Sequence, residues 1–223
     1  MNGRLLCLLL PVIVSPLAAQ PLVPIDTSGL ADGRYASMEM LYERSFLRVD
    51  VMRLSLRFGR ETADRLETFL VSRNDGGSGT DAQDTVADIA LEAQDAIVHG
   101  VFLRSVSLPQ FLKGLLSNLE RARDAGVVSD EEFRAIEADV RVQYLPLEVR
   151  GLRPGDGMWY RIRGDSLHVV TQGANGEVLI EERAVGSERR RAVLGGYLAP
   201  GSDFRKGLTR SLLDGPADSS TET

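Results

Sequence analysis

The chain has almost none of the residues on which disulfide scaffolds and metal centres depend. Only one cysteine and two histidines occur among its 223 residues. Neither histidine belongs to a cluster of His, Asp and Glu at ligand spacing, so we predict no metal site and no cofactor. The G-x-S-x-G turn of α/β-hydrolases is also missing, and no internal repeat is visible. What remains fits one domain with a sizeable apolar core.

The first 19 residues have the pattern of an export signal. Arg4 supplies the positive charge, residues 5–14 form an apolar core, and small residues precede the predicted cleavage after Ala19. The apolar core is too short to span a bilayer, and no later segment qualifies. We therefore expect a soluble, periplasmic or secreted protein with no transmembrane segment after signal cleavage. The one cysteine, Cys7, lies inside the signal, so the mature chain is expected to contain no disulfide.

An excess of acidic residues argues against binding to polyanions. The 32 acidic residues outnumber the 26 basic ones, and loss of Arg4 with the signal brings the net charge to about −7. Such a charge opposes nonspecific binding to nucleic acid or to anionic membranes. We expect no nucleic-acid partner, and the sequence identifies no protein partner. The basic cluster at Glu188-Arg189-Arg190-Arg191 is predicted to be the solvated start of a helix; the alternative is capture of an anion there, for which the sequence offers no support.

Residues 45–58 are the stretch around which the rest of the chain is organised. This segment contains no Gly or Pro and is about twice the usual length of a strand. Along one of its faces polar residues give way to apolar ones, which suits the middle of a curved sheet. We predict an α+β fold in which helices pack on one face of a curved antiparallel sheet.

The remaining elements follow from periodicity and from capping and turn residues. Further strands are predicted at 35–43, 96–106, 157–163, 166–171 and 177–183, with a type I′ turn at Asn175-Gly176. Helices are predicted at 60–72, 86–94 and 187–198. Three more are predicted with caps: from the N-cap Ser107 to Gly126, from a capping box at Ser129 onward, and at 203–213 after the cap Ser202. The domain is expected to span 35–215, after an irregular lead-in at 20–34 and before a disordered tail at 216–223. Residues 73–81 form either a plain flexible connection or a lid over a ligand.

The helix that starts at Ser107 carries a long apolar stripe that we expect to pack in the core. The stripe consists of Leu108, Phe111, Leu112, Leu115, Leu116, Leu119 and Ala122. Asn118 lies at the edge of this stripe. It is either a polar residue on the helix flank or part of a site.

Four sequence features together resemble one known family. They are Leu54-Ser55-Leu56 near the end of the long strand, F-L-R-S-V-S-L-P-Q-F-L-K-G-L at 102–115, L-R-P-G-D-G-M at 152–158, and the run A-V-L-G-G-Y-L-A-P-G-S-D-F-R-K-G-L-T-R-S-L-L-D-G at 192–215. In order and spacing the chain is similar to the chalcone isomerase-like family, in its bacterial exported branch. The resemblance covers about residues 35–215. It implies a sheet with helices on one side and an apolar ligand cleft between them.

The resemblance also implies where a catalytic set would lie. The plant enzymes of the family close a flavanone ring with an arginine, a strand threonine, a helix tyrosine and asparagine, and a late threonine or serine. The matching positions in this chain are Tyr42, Asp50, Phe111, Asn118 and Gly196. Only the asparagine is kept, so we predict no chalcone cyclisation and treat these five residues as ligand-binding candidates. Catalytic residues stay unassigned.

Two functions from different classes follow. The favoured hypothesis is a non-catalytic binding module for a small apolar or amphiphilic ligand such as a fatty acid. The alternative is an isomerase or intramolecular lyase with a reassigned site, in which a buried Asp50 with a raised pKa acts as general base near Tyr42 or His99. Without such a site, Asp50 would form cross-strand ion pairs and His99 would be an ordinary sheet residue.

Overall fold

Six antiparallel strands form one sheet in the part of the chain that the structure, a computed structural model, describes: residues 25–44, 49–73 and 80–214. The strands lie in the sheet in the same order as in the chain. They are β1 (Ser37–Arg44), β2 (Val49–Phe58), β3 (Asp95–Phe102), β4 (Gly157–Arg163), β5 (Ser166–Gln172) and β6 (Val178–Val185). The predicted signal, the predicted tail and residues 74–79 of the predicted loop lie outside the described residues.

Helices fill the long connections of this meander and pack on one face of the sheet, which confirms the predicted α+β class. Between β2 and β3 lie α1 (Arg60–Ser72) and α2 (Thr80–Leu91); between β3 and β4 lie α3 (Leu108–Asp124) and α4 (Asp130–Gln143); after β6 come α5 (Ser187–Leu198) and α6 (Arg205–Leu213). Among the described helices none combines the length and the hydropathy needed to cross a bilayer.

The alternation in β2 explains why the helices cover only one face. The side chains of Met52, Leu54, Leu56 and Phe58 are buried toward the helices. Arg53, Ser55 and Arg57 alternate with them and are exposed or half-buried. Because successive side chains of a strand point to opposite faces, this pattern allows a core on one side only.

The helix starts predicted from the N-cap Ser107 and from the capping box at Ser129 are confirmed, and in the structure both form capping boxes. The Ser107 hydroxyl accepts a hydrogen bond from the Gln110 backbone N–H, and the Gln110 side-chain oxygen accepts one from the Ser107 backbone N–H. Ser129 and Glu132 form the same reciprocal pair at the start of α4. These pairs satisfy backbone N–H groups that a helix leaves without partners.

Four sequence predictions were wrong in detail. Strand β3 ends at Phe102, four residues before the predicted end at 106. The turn between β5 and β6 is not a two-residue type I′ turn, because residues 173–177 separate the strands and the register shifts at Thr171/Gln172. Helix α2 starts at Thr80 and ends at Leu91, earlier than predicted. Helix α6 starts at Arg205, two residues later than predicted; the predicted cap, Ser202, accepts a hydrogen bond from the Phe204 backbone N–H at 3.3 Å and donates its hydroxyl to the Gly196 carbonyl.

The face of the sheet away from the helices holds a buried arginine. The side chain of Arg161 is 4% exposed and forms an ion pair with Asp95. Its guanidinium also donates to the backbone carbonyls of Asp26 at 2.6 Å and Ser28 at 2.9 Å. The end of the predicted irregular lead-in is thus fastened to the middle of the sheet.

We predict that Arg161→Met destabilises the fold strongly. The substitution removes the Arg161 donors from the Asp26 carbonyl and the Asp95 carboxylate, while the Ser28 carbonyl keeps only its hydrogen bond from Arg163. We expect a loss of about 3 kcal/mol in the free energy of unfolding, at the low end for a broken buried pair because Asp95 keeps some contact with water. Urea unfolding measures it. Arg163→Met is the matched control, since Arg163 is on the same strand and pairs with Asp26 but is 45% exposed. A similar loss of stability in both variants would contradict the structural role that we assign to the buried Arg161.

Candidate ligand-binding site

A cavity of about 160 Å³, partly open to solvent, lies between the sheet and helices α3, α4 and α5. Its sheet side is mostly apolar. The lining residues on the strands are Tyr42, Val51, Met52, Phe102, Met158, Tyr160, Leu167 and Val169. The cavity therefore lies where the resemblance implied an apolar cleft.

Each of the three helices turns one stripe toward this cavity. Helix α5 contributes residues at the spacing i, i+3, i+4, i+7 and i+8, which is one face of a helix. These residues are Arg189, Ala192, Val193, Gly196 and Tyr197. Helix α3 contributes Gln110, Phe111, Gly114, Leu115, Asn118 and Leu119, and the α4 segment contributes Ile136, Val140, Gln143 and Tyr144.

Two helical glycines help to keep the cavity open. A Cβ atom added at Gly114 or at Gly196 would meet no atom within 4 Å, so packing does not require glycine at either position. Glycine inside a helix costs about 1 kcal/mol relative to alanine. Gly195, the neighbour of Gly196, differs because a Cβ there would lie 3.0 Å from Ala122 and Val127. Gly195 serves packing, whereas Gly114 and Gly196 leave space.

Three buried tyrosines add hydroxyl groups to the wall of the cavity. The hydroxyls of Tyr144 and Tyr160 lie 2.7 Å apart in a hydrogen bond, and both lie near the Met158 sulfur. Burial raises the pKa of Tyr144, of Tyr160 and of Tyr197. All three therefore stay protonated near neutral pH and offer neutral donors and acceptors rather than charge.

Four of the five residues singled out in the sequence line this one cavity. Tyr42, Phe111, Asn118 and Gly196 come together from β1, α3 and α5. The Phe111 ring packs on Tyr144, with 4.9 Å between ring centroids, and the Tyr42 ring packs on Phe204 at 4.7 Å. Phe111 and Gly196 bring no hydroxyl to the wall, so two hydroxyls implied by the resemblance are missing from these positions.

Asn118 uses its amide to hold the backbone. Its side chain is buried, its nitrogen donates to the Gly114 carbonyl at 3.0 Å, and its oxygen accepts from the Asp203 backbone N–H at 3.0 Å and from Arg121. The residue thus joins α3 to the connection between α5 and α6. It shapes the cavity wall by positioning that connection, which is a different role from a polar residue on an exposed flank.

The groups invoked for a reassigned enzyme site do not come together. Asp50 is exposed and does not line the cavity, so it cannot act as a general base on a ligand bound there. His99 lies on the opposite face of the sheet from the cavity. Its ring stacks on Trp159 with 4.6 Å between centroids, and burial lowers its pKa. Within the described residues no group of three or more His, Cys, Asp or Glu side chains could hold a metal ion.

Sequence reasoning missed the polar residues that line the cavity near the junction of α4 and α5. Arg189 and Gln143 both contribute to the lining, and the Gln143 amide nitrogen is buried without an acceptor among the described residues. We expected Arg189 to be solvated because it belongs to a basic run. The signal that could have found it is its spacing of three, four and seven residues from Ala192, Val193 and Gly196.

Comparisons with known proteins find likenesses to solved structures but none in sequence. No protein-family model matches the chain, and no curated protein matches its sequence. The chain is similar to the crystal structure of a fatty-acid binding protein from Arabidopsis thaliana. The two share 11% sequence identity with a TM-score of 0.49, over 81% of this chain and 89% of that one. The ligand of this chain is therefore inferred below from its own cavity.

We predict that Leu115→Ala costs less stability than a core truncation. Leu115 was expected in the core, but it is half-buried and lines the cavity. The substitution enlarges a space that already exists, so we expect a loss of roughly 1 kcal/mol. The fully buried Leu56 is the matched control, and Leu56→Ala should cost about 2–5 kcal/mol. Urea unfolding of both variants measures the two losses in the free energy of unfolding. Equal losses would mean that Leu115 packs as a core residue.

Proposed function

We propose that this protein is an exported, non-catalytic binder of a small apolar or amphiphilic ligand, fatty-acid-like in character, within the chalcone isomerase-like family. The observation that carries the binding proposal is the cavity lined by apolar side chains, with Gly114 and Gly196 leaving space at a cost to helix stability. The signal pattern of the first 19 residues supports export. The four sequence features that resemble the family support the family assignment.

The size of the cavity limits what fits without rearrangement. At about 160 Å³ it is close to an engineered apolar cavity of roughly 150 Å³ that binds benzene. One ring or a short stretch of acyl chain therefore fits the space as it stands. A longer chain requires half-buried side chains such as Leu115 and Val193 to move, or it extends through the open side.

The chemistry of the wall supports binding without turnover. Positive charge and donors aimed at a developing enolate are what chalcone cyclisation requires. Phe111 and Gly196 offer no donor, and Tyr42 occupies the position at which the family has an arginine. The tyrosine hydroxyls stay neutral, and Asp50 lies outside the cavity. The positions that match the family's catalytic set thus lack its arginine and two of its hydroxyls, which supports binding rather than chalcone cyclisation.

We predict that Gly196→Leu abolishes ligand binding but leaves the fold intact. A leucine side chain at this position enters the cavity, and replacing a helical glycine should stabilise α5 by several tenths of a kcal/mol or more. For the wild type, saturating dodecanoate should raise Tm, because a ligand that binds only the folded state stabilises it. The variant should lose this response without a lower Tm of its own.

Gly195→Ala is the control for substitution at a helical glycine of α5. It should lower Tm, because its Cβ approaches Ala122 and Val127 at 3.0 Å, and it should still respond to dodecanoate. The proposal fails if the wild type shows no shift with dodecanoate and organic extracts of the purified protein contain no lipid. Turnover of a chalcone by the wild type at rates typical of an enzyme would overturn the non-catalytic assignment.

A further inference from the structure

The cavity has one polar, positively charged region. Among the described residues that line it, Arg189 alone carries a formal charge, and none is a carboxylate. Polar side chains elsewhere in the lining are neutral amides and tyrosines. A ligand that enters the cavity therefore meets a cation and no anion in the lining itself.

Two helices bring Arg189 and Gln143 close to each other. Arg189 forms an ion pair with Asp139 of α4, and Gln143 lies four residues after Asp139. Residues four apart are neighbours on one helix face, about 6 Å along the axis. The amide nitrogen of Gln143 is shielded from solvent and has no acceptor among the described residues. A buried donor without an acceptor is unfavourable. An acceptor on a bound ligand would therefore stabilise the Gln143 amide, because the described residues supply none.

The ion pair with Asp139 leaves Arg189 able to bind a second anion. The guanidinium contacts Asp139 through Nη2, and the Asp139 side chain is 52% exposed. Ion pairs with so exposed a partner are weak. The planar guanidinium has five N–H donors in a fork that fits a carboxylate through two parallel hydrogen bonds. A second carboxylate can therefore use the donors that Asp139 does not engage.

We propose that Arg189 and Gln143 bind the carboxylate of the ligand, while its apolar tail lies along α5 toward Gly196. This inference rests on the proposed function and narrows the ligand to a carboxylic acid. Arg189 and Gly196 are seven residues apart on one helix, about 10 Å along its axis. The part of the cavity near Arg189 is thus separated from the open apolar part near Gly196, and an amphiphilic ligand needs such a separation for its head group and its tail. The cation comes from α5, whereas the resemblance places an arginine at the position of Tyr42 on β1.

The test compares an acid with a neutral analogue of the same chain length. Dodecanoate and 1-dodecanol are titrated against the full mature protein, and Kd is measured by calorimetry. We expect the wild type to prefer the acid. Arg189→Met keeps an unbranched apolar side chain and removes the charge, and it should weaken dodecanoate about 10-fold while leaving dodecanol unchanged. Gln143→Leu should weaken the acid several-fold.

Asp139→Asn is predicted to change the affinity for dodecanoate in the opposite direction. This test does not require the Arg189 variant to fold. Removing the competing carboxylate should strengthen dodecanoate binding several-fold. Arg190→Met is the control for net charge, because Arg190 belongs to the same run but pairs with Asp165 and does not line the cavity. It should leave the affinity for both ligands within about twofold.

The outcomes separate this inference from the proposed function. If the wild type binds neither dodecanoate nor dodecanol, the binding function itself fails. If it binds both equally and Arg189→Met changes neither, cavity binding stands and the carboxylate site is overturned. If Arg190→Met weakens dodecanoate as much as Arg189→Met does, the effect is one of overall charge, which also overturns the site.

Discussion

The rest of the structure depends on burying one face of the six-stranded sheet. The alternation is clearest in β2, whose buried side chains define the face that requires cover. Helices inserted in the long connections and after the last strand supply the cover on one side only. On the other side, the buried Arg161 and the segment around Asp26 and Ser28 protect the middle of the sheet with hydrogen bonds instead of an apolar layer.

The cavity lies in the layer between the sheet and its helical cover. Core packing normally fills such a layer to the density of an organic crystal. Here α3 and α5 each turn a glycine toward the space, and Gly195, beside one of them, shows that close packing begins one residue away. The tyrosines of this layer keep their protons because burial raises their pKa. The wall thus combines apolar side chains with neutral hydroxyls, and the formal charge among its described residues is that of Arg189 on α5.

Much of the fold was predictable from local patterns, and the site was predictable in part. The bounds of α1 and α5 and the three strands of the meander follow from periodicity, and the starts of α3 and α4 follow from their capping boxes. The resemblance pointed to Tyr42, Phe111, Asn118 and Gly196, which come from three separate elements, β1, α3 and α5, but line one cavity. It also pointed to Asp50, which is exposed, because the register shift between Tyr42 and Glu43 places Asp50 opposite Glu43 near the end of the hairpin.

The sequence by itself determined the alternation of strands and helices, the apolar face of each element and the points at which several helices begin, since these depend on neighbours along the chain. Only the tertiary structure decided which of those apolar residues face a cavity. Leu115 and Leu116 are adjacent in one apolar stripe, yet Leu115 lines the cavity and Leu116 does not. Arg189 belongs to a basic run that is typical of a solvated surface, but its place on α5 turns it toward the cavity. A residue's neighbours across the fold come from other elements, and local periodicity contains no information about them.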